Sequence, residues 1–336
     1  MKFVLGGMTM NVNEMREVLK HYLKEECQIY QGASGMNNLT RFIEWNEKKY
    51  VLRIYQNHND EALVKVEQKV LSMIKGVPVP VLVPTIKGEY VVNYHDQLAV
   101  LFEYQEGVNL KLERLEQYKN YGEMVGRLSQ ALSKLEDEKQ GYLPYYELDK
   151  AYPNHEIEAF CQMPDEAFKD LRDELKIVEA CYVEWKKIKD ELAKLPKQLI
   201  HGDINSSNLL MNDQGMISCI LDFEFVTKDL RAMEIAICLS EILYEGKDDI
   251  WPKLEAFMEG LRSSVELTNE EMIYLPSLIL LRRLDVVLHF ITRYRCDISS
   301  EIAGKTEYLR KQILKLVDQW SWMNENKEAF VQLVKN

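Results

Sequence analysis

Two short apolar runs, each ending in acidic or amide side chains, constrain this chain more than any other feature. Leu199-Ile-His-Gly-Asp-Ile-Asn-Ser-Ser-Asn-Leu-Leu-Met211 carries a polar loop with His201, Asp203 and Asn208, and Ile220-Leu-Asp-Phe-Glu-Phe225 then delivers Asp222 and Glu224. If Asn208–Met211 and Ile217–Leu221 are antiparallel strands joined by the turn at Asn212–Gly215, the hairpin sets Asn208 beside Asp222, with Asp203 in the loop just before it. Asp and Asn also cap turns and open helices, and either run alone fits that simpler role. The two together, in this order, point to phosphoryl transfer. That reaction needs one carboxylate to orient a hydroxyl and accept its proton, and a carboxylate plus an amide oxygen to hold Mg²⁺ on a nucleotide. Asp203 is the candidate catalytic base, and Asn208 and Asp222 are the candidate metal ligands.

The chain leading to this pair changes character once. Val12, Met15, Val18, Leu19, Tyr22 and Leu23 recur at helical spacing, and strand-like runs follow at Cys27–Tyr30, Leu39–Trp45 and Tyr50–Tyr55. Asn59 to Ile74 reads as a helix, ended by Val77-Pro-Val-Pro80, and Glu89–Asn93 and Leu98–Tyr104 read as a hairpin through His95-Asp96. From Leu112 onward the periodicity is helical. At 336 residues the chain is long enough for two domains. The expected architecture is α+β: residues 1–104 form a five-stranded antiparallel sheet with a helix, and residues 105–336 form a mainly helical region.

Gly32-Ala-Ser-Gly35 joins the first two strands, where small residues let backbone N–H groups reach phosphate oxygens, so Ser34 and Gly35 are nucleotide candidates. An ordinary hairpin loop has the same composition. Arg53 lies on the third strand, and Glu67 on the following helix is spaced to hold its guanidinium; the alternative is a solvated Glu67 paired with a neighbouring lysine.

His201-x-Asp203-x-x-x-x-Asn208 followed by Asp222 resembles the motifs of the aminoglycoside phosphotransferase and choline kinase superfamily, small-molecule relatives of protein kinases. Asp222-Phe-Glu-Phe with Arg231 is similar to choline and ethanolamine kinases, whereas His201-Gly-Asp is closer to type II homoserine kinases and spore-coat relatives. The resemblance implies a protein-kinase-like two-lobe fold and an ATP-dependent, Mg²⁺-requiring transfer to a hydroxyl of a small metabolite. It makes Asp203 the base and Asn208 and Asp222 the magnesium ligands, and it puts Arg53 on the nucleotide phosphates where relatives carry lysine. It also makes Phe102, Glu103 and Tyr104 candidates for the adenine-binding linker, where sheet edge and core are the plainer reading. The spore-coat likeness keeps open a second function, a nucleotide-binding structural or regulatory protein.

Past Glu224 only a short piece precedes the next helix, and no Ala-Pro-Glu anchor for peptide docking follows, so a small-molecule acceptor is expected over a protein. Between Leu275 and Arg295, Arg282, Asp285, His289 and Arg293 share a helix face; they would meet an anionic acceptor group or pair with neighbouring carboxylates. Trp320 and Trp322 read as core or, alternatively, as an aromatic cage for a quaternary amine. The net charge of −12 argues against nonspecific nucleic-acid binding. The six cysteines show no paired spacing, and no stretch reads as a signal peptide or membrane span, so reduced thiols and a cytoplasmic location are expected. The oligomeric state is left open.

Overall fold

A computed structural model describes residues 10–32, 38–56, 60–135, 141–245, 249–296 and 302–336. The first helix, α1 (Val12–Leu19), opens on a reciprocal cap: the Asn11 side chain accepts from the Asn13 and Glu14 amides, and Glu14 accepts from the Asn11 amide at 2.7 Å. Its buried side, Met15, Val18 and Leu19, lies in one cluster with Leu52, Ile54, Ala99 and Leu101.

Those last four residues belong to an antiparallel sheet of β1 (Gln28–Gln31), β2 (Asn38–Trp45), β3 (Lys48–Tyr55), β4 (Val91–Tyr94) and β5 (Gln97–Glu103), in the order β1-β2-β3-β5-β4. Both tight hairpins turn on two residues of positive φ, Asn46 and Glu47 (50° and 62°) and His95 and Asp96 (48° and 62°). Such left-handed pairs match the strand twist. Strand alternation then divides β3: Leu52 and Ile54 face the α1 cluster, while Arg53 and Tyr55 point to the opposite face. Helix α2 (Glu61–Met73), capped by Asp60, supplies the buried Glu67 to that second face. Beyond it, Val81–Val83 runs alongside β5, the Glu103 amide donating to Val81 O and the Val83 amide to Leu101 O, both at 2.9 Å.

Strand β6 (Val108–Asn109) follows, then α3 (Leu115–Leu132), α4 (Leu148–Ala151), α5 (Asn154–Gln162), α6 (Arg172–Leu192) and β7 (Lys197–Ile200). The hairpin expected from the sequence is present as β8 (Leu209–Met211) and β9 (Ile217–Ile220), with Asn212 Oδ1 accepting from the Gln214 and Met216 amides across the turn. Strand β10 (Thr227–Leu230) pairs with β7, and α7 (Arg231–Glu245), α8 (Ile250–Arg262), α9 (Asn269–Cys296) and α10 (Ile302–Lys335) complete the chain.

These elements divide into two compact units. One is the chain up to Leu110 together with Ser207–Phe225; the other is Lys111–Ser206 together with Val226 to the end. The β8–β9 hairpin therefore joins the first unit, where β6 adds to β8. Gly107 makes that pairing possible: at φ +145° a Cβ there would stand 3.0 Å from Met211 O and 3.1 Å from Leu210 Cβ. In the helical unit, Trp322 packs against Trp251 and Phe330, which assigns it to packing. The cysteines described, Cys27, Cys161, Cys181, Cys219 and Cys238, are free thiols. Among the described residues, no helix is long and apolar enough to cross a membrane.

Candidate active site

Within the first unit, the hairpin register sets Leu209 opposite Ile220 and carries the pairing one residue further, the Leu221 amide donating to Asn208 O at 2.7 Å. Asn208 and Asp222 therefore leave the same end of the ribbon. Asp222 takes a left-handed backbone, φ +65°, uncommon for a residue with a side chain. The turn after it buries Phe223 and directs Glu224 Oε2 to accept from Asn38 Nδ2, a buried side-chain hydrogen bond of 2.7 Å at the start of β2. Glu224 thus ties this loop to the sheet.

Arg53 reaches the same loop from β3. Its Nη1 lies 3.1 Å from Glu67 Oε1 and 3.0 Å from Asp222 Oδ1, and its guanidinium stacks over Phe102 at 5.4 Å. Tyr55, two residues on along the same face, donates its hydroxyl to Glu67 Oε2. Burial raises the Glu67 pKa, against which Arg53 and the Tyr55 hydrogen bond work. For Arg53, burial disfavours the charge, but Asp222 and Glu67 outweigh it and hold the guanidinium protonated.

Among the described residues, no three His, Cys, Asp or Glu side chains gather as a metal cluster. Magnesium does not require one, since it keeps several waters and takes one or two protein ligands alongside phosphate oxygens. Asp222 Oδ1 suits that use: it is buried, no hydrogen bond satisfies it, and the nearby Arg53 cation meets it only as an ion contact.

The second unit builds the setting of Asp203. Strand β7 ends at Ile200, the fully buried His201 follows, and Gly202, at φ +82°, turns the chain. Glu234 of α7 accepts from the His201 and Gly202 amides, while the Asp203 amide donates to His201 Nδ1 at 3.3 Å. Burial pushes the Glu234 pKa up to about 7, the two amides opposing it. Asp229 of β10, pushed up to about 7 for the same reason, accepts from the Tyr145 amide at 2.6 Å. The Tyr145 hydroxyl donates to Gly202 O at 2.7 Å and accepts from Arg282 Nη1 at 2.7 Å, and Arg282 Nη2 donates to Asp203 Oδ1.

The structure thus brings Arg53, Glu67, Phe102 and Asp222 together and sets Asn208 beside the Asp222 loop by backbone pairing. Glu103 is exposed and Tyr104 half-buried, its ring edge-on to Phe42; their amides are engaged, that of Glu103 with Val81 O and that of Tyr104 with Lys49 O. Ser34 and Gly35 lie outside the described residues. Arg231 pairs with the fully buried Glu271, at 3.0 Å from its Nε, and Glu234 engages the His201 and Gly202 amides instead. Of the stripe on α9, Arg282 reaches Asp203, and His289 is held down to about 4 by burial and the nearby Arg293 and Arg282. Sequence reasoning did not find Tyr145, Tyr55 or Asn38 as supporting residues. For Tyr145 the only local signal is its place among the aromatics Tyr142, Tyr145 and Tyr146, and Arg282 stands out through its three-and-four spacing with Asp285 and His289.

The model of the phosphotransferase enzyme family matches residues 29–259, more than half the chain. The chain belongs to this family. As a member it is a small-molecule phosphotransferase. Among its curated relatives is the homoserine kinase of Agrobacterium fabrum, 25% identical over 288 residues and covering 84% of each chain. Among solved structures, a microcompartment-associated aminopropanol kinase matches with a TM-score of 0.66 at 18% identity, covering 96% of this chain and 99% of its own. Amicoumacin kinase, solved with AMP-PNP and Ca²⁺, matches at 0.65 and 17%, covering 90% and 93%. The α+β, protein-kinase-like fold expected from the sequence is the fold of these phosphotransferases.

Proposed function

We propose that this family member transfers the γ-phosphate of ATP to a hydroxyl of a small amino alcohol or amino acid, with Asp203 as base and with Asn208 and Asp222 holding Mg²⁺. The observation that carries the reading is the Asp222 loop: a buried, unsatisfied carboxylate oxygen beside a cation that Glu67 holds in place, with Asn208 paired alongside. When bound, Mg²⁺ would neutralise phosphate charge. Arg53 steadies the phosphates. The acceptor oxygen attacks the γ-phosphorus, the bond to the bridging oxygen of ADP breaks, and the hydroxyl proton passes to Asp203.

ATP as donor is supported by the family match and by the AMP-PNP complex of the amicoumacin kinase neighbour. For the acceptor, the homoserine kinase relatives and the aminopropanol kinase neighbour point the test to homoserine and to amino alcohols; homoserine and 3-aminopropan-1-ol are an informative pair, since they differ by one carboxylate. The test is ADP release with Mg²⁺-ATP against that pair, choline, ethanolamine, methylthioribose, amino sugars and aminoglycosides, run beside Asp203→Asn. Acceptor-dependent turnover lost in the variant is expected. ATP binding with no acceptor raising ADP above the variant's background would instead favour the nucleotide-binding structural role.

A further inference from the structure

Arg282 lies 79 residues from Asp203, outside the motif that marks the site. It stands in the middle of α9, mostly buried at 13% side-chain exposure, and its contacts form a closed circuit. Nη2 donates to the Asp203 carboxylate; Nη1 donates to the Tyr145 hydroxyl, which donates in turn to the carbonyl of Gly202, the residue before Asp203. The Tyr145 ring also lies against the guanidinium, 5.7 Å from its carbon. On the arginine's other contact, Asp285 stands at 4.0 Å, its Oδ1 taken up by the Tyr152 hydroxyl at 3.0 Å.

We propose that Arg282 and Tyr145 form a clamp that positions Asp203 for the acceptor hydroxyl, fixing the plane of its carboxylate and keeping it ionised. The inference rests on Asp203 being the base. The circuit is what separates a clamp from an ordinary ion pair: the same guanidinium grips the side chain directly and, through Tyr145, the backbone immediately before it. A rotation of the carboxylate therefore breaks a charge-assisted bond inside a largely buried pocket. A carboxylate so paired has a reduced proton affinity. That suits a reaction with a loose transition state, in which orienting the hydroxyl matters more than pulling its proton early. Arg282 and Tyr145 act through Asp203 and are positioning residues. Among the described residues, Glu234 of α7 and Tyr308 of α10 also bear on Asp203, and Asp285 and Glu241 act through their pull on Arg282.

The test compares wild type, Arg282→Lys, Arg282→Ala, Tyr145→Phe and Asp203→Asn, each first checked for a native circular-dichroism spectrum and for ATP binding by calorimetry. With the best acceptor of the panel, kcat of Arg282→Ala should fall about 100-fold with little change in KM, since a small misplacement of a catalytic group has an effect of that order. Added guanidinium should restore about tenfold of that loss, Arg282→Lys should retain an intermediate rate, and Tyr145→Phe should lose about tenfold. A second readout needs no turnover: in protein carrying carboxyl-¹³C aspartate, the Asp203 signal, identified by its absence in Asp203→Asn, should titrate about one unit higher in Arg282→Ala. An unmoved titration overturns the clamp whatever the kinetics. Turnover abolished by Asp203→Asn but within about threefold of wild type in Arg282→Ala overturns the clamp alone. Turnover indifferent to Asp203→Asn overturns the base assignment, and the clamp with it.

Discussion

Replacing Arg53 by methionine keeps an apolar stem against Phe102 and removes a charge that stands within 3.1 Å of both Glu67 and Asp222. Glu67 is 2% exposed, so the change strips a buried carboxylate of its cation and leaves it the Tyr55 hydroxyl. Breaking a buried pair in this way costs about 3–5 kcal/mol if the stranded charge stays ionised. Glu67 has an easier course. Burial already raises its pKa, and losing Arg53 raises it further, so the carboxyl can shed its charge by taking up a proton while it retains the Tyr55 contact. The expected loss is therefore about 2–3 kcal/mol, roughly 3–4 °C in melting temperature for a chain of 336 residues. Its pH dependence has a fixed sign. The carboxyl titrates at its ordinary value of 4.5 in the unfolded chain and higher in the folded variant. Between those values the folded state holds the extra proton, so stability is greatest on the acid side and falls as pH rises through the folded pKa, by up to about 1.4 kcal/mol per pH unit. Urea unfolding followed by tryptophan fluorescence, in steps from about pH 5 to pH 8, measures both quantities. A variant within about 0.5 kcal/mol of wild type across that range would refute the claim that Arg53 neutralises a buried Glu67.

Three further outcomes follow from the geometry. Asp222→Asn should weaken Mg²⁺-ATP binding by at least about tenfold in calorimetry while leaving urea stability within about 0.5 kcal/mol, because its side chain is 28% exposed. In Glu234→Gln the group pushed up to about 7 no longer titrates, so the fall in stability as pH rises from 4.5 towards 7 should flatten by up to about 1.4 kcal/mol per pH unit; an unchanged slope in urea titrations would argue against a buried, proton-binding Glu234. Gly107→Ala should cost about 1–3 kcal/mol, from the backbone conformation and the crowding at Met211 O together, and equal melting temperatures would show that β6 tolerates a side chain there.

The fold was legible wherever local chemistry decides it. The strand-like run Tyr50–Tyr55 gave β3, and prolines after Ile74 marked the end of α2. The Asn212–Gly215 turn fixed a hairpin whose register then carried Asn208 to Asp222. The Arg53–Glu67 pair was also readable, because the strand and the helix are consecutive in the chain. What stayed hidden depends on contacts between residues far apart in the chain. Nothing local distinguishes Tyr145 from its neighbours Tyr142 and Tyr146, and Arg282 and Arg283 are adjacent arginines on one helix, yet one reaches Asp203 and the other Glu241 and Ser240 O. Arg231 and Glu234 show the same limit. They lie three residues apart at the start of α7, but α9 delivers Glu271 to the arginine, while Glu234 accepts from the loop amides.

The return of Ser207–Phe225 to the first unit also governs how this chain can be made. Strand β6 has no partner until Leu210 and Met211 exist, and Pro78 O waits for the Ile220 amide, so the first unit is finished only after about a hundred intervening residues have left the ribosome. Closing a loop of that length adds little to the free energy of the finished fold but slows the step that forms it. A translation product cut short after Leu110 would carry Arg53 without Asp222 and β6 without its neighbour, and would offer an unpaired strand to other chains. Synthesis through Phe225 is thus the earliest point at which the first unit can become a self-sufficient folding unit.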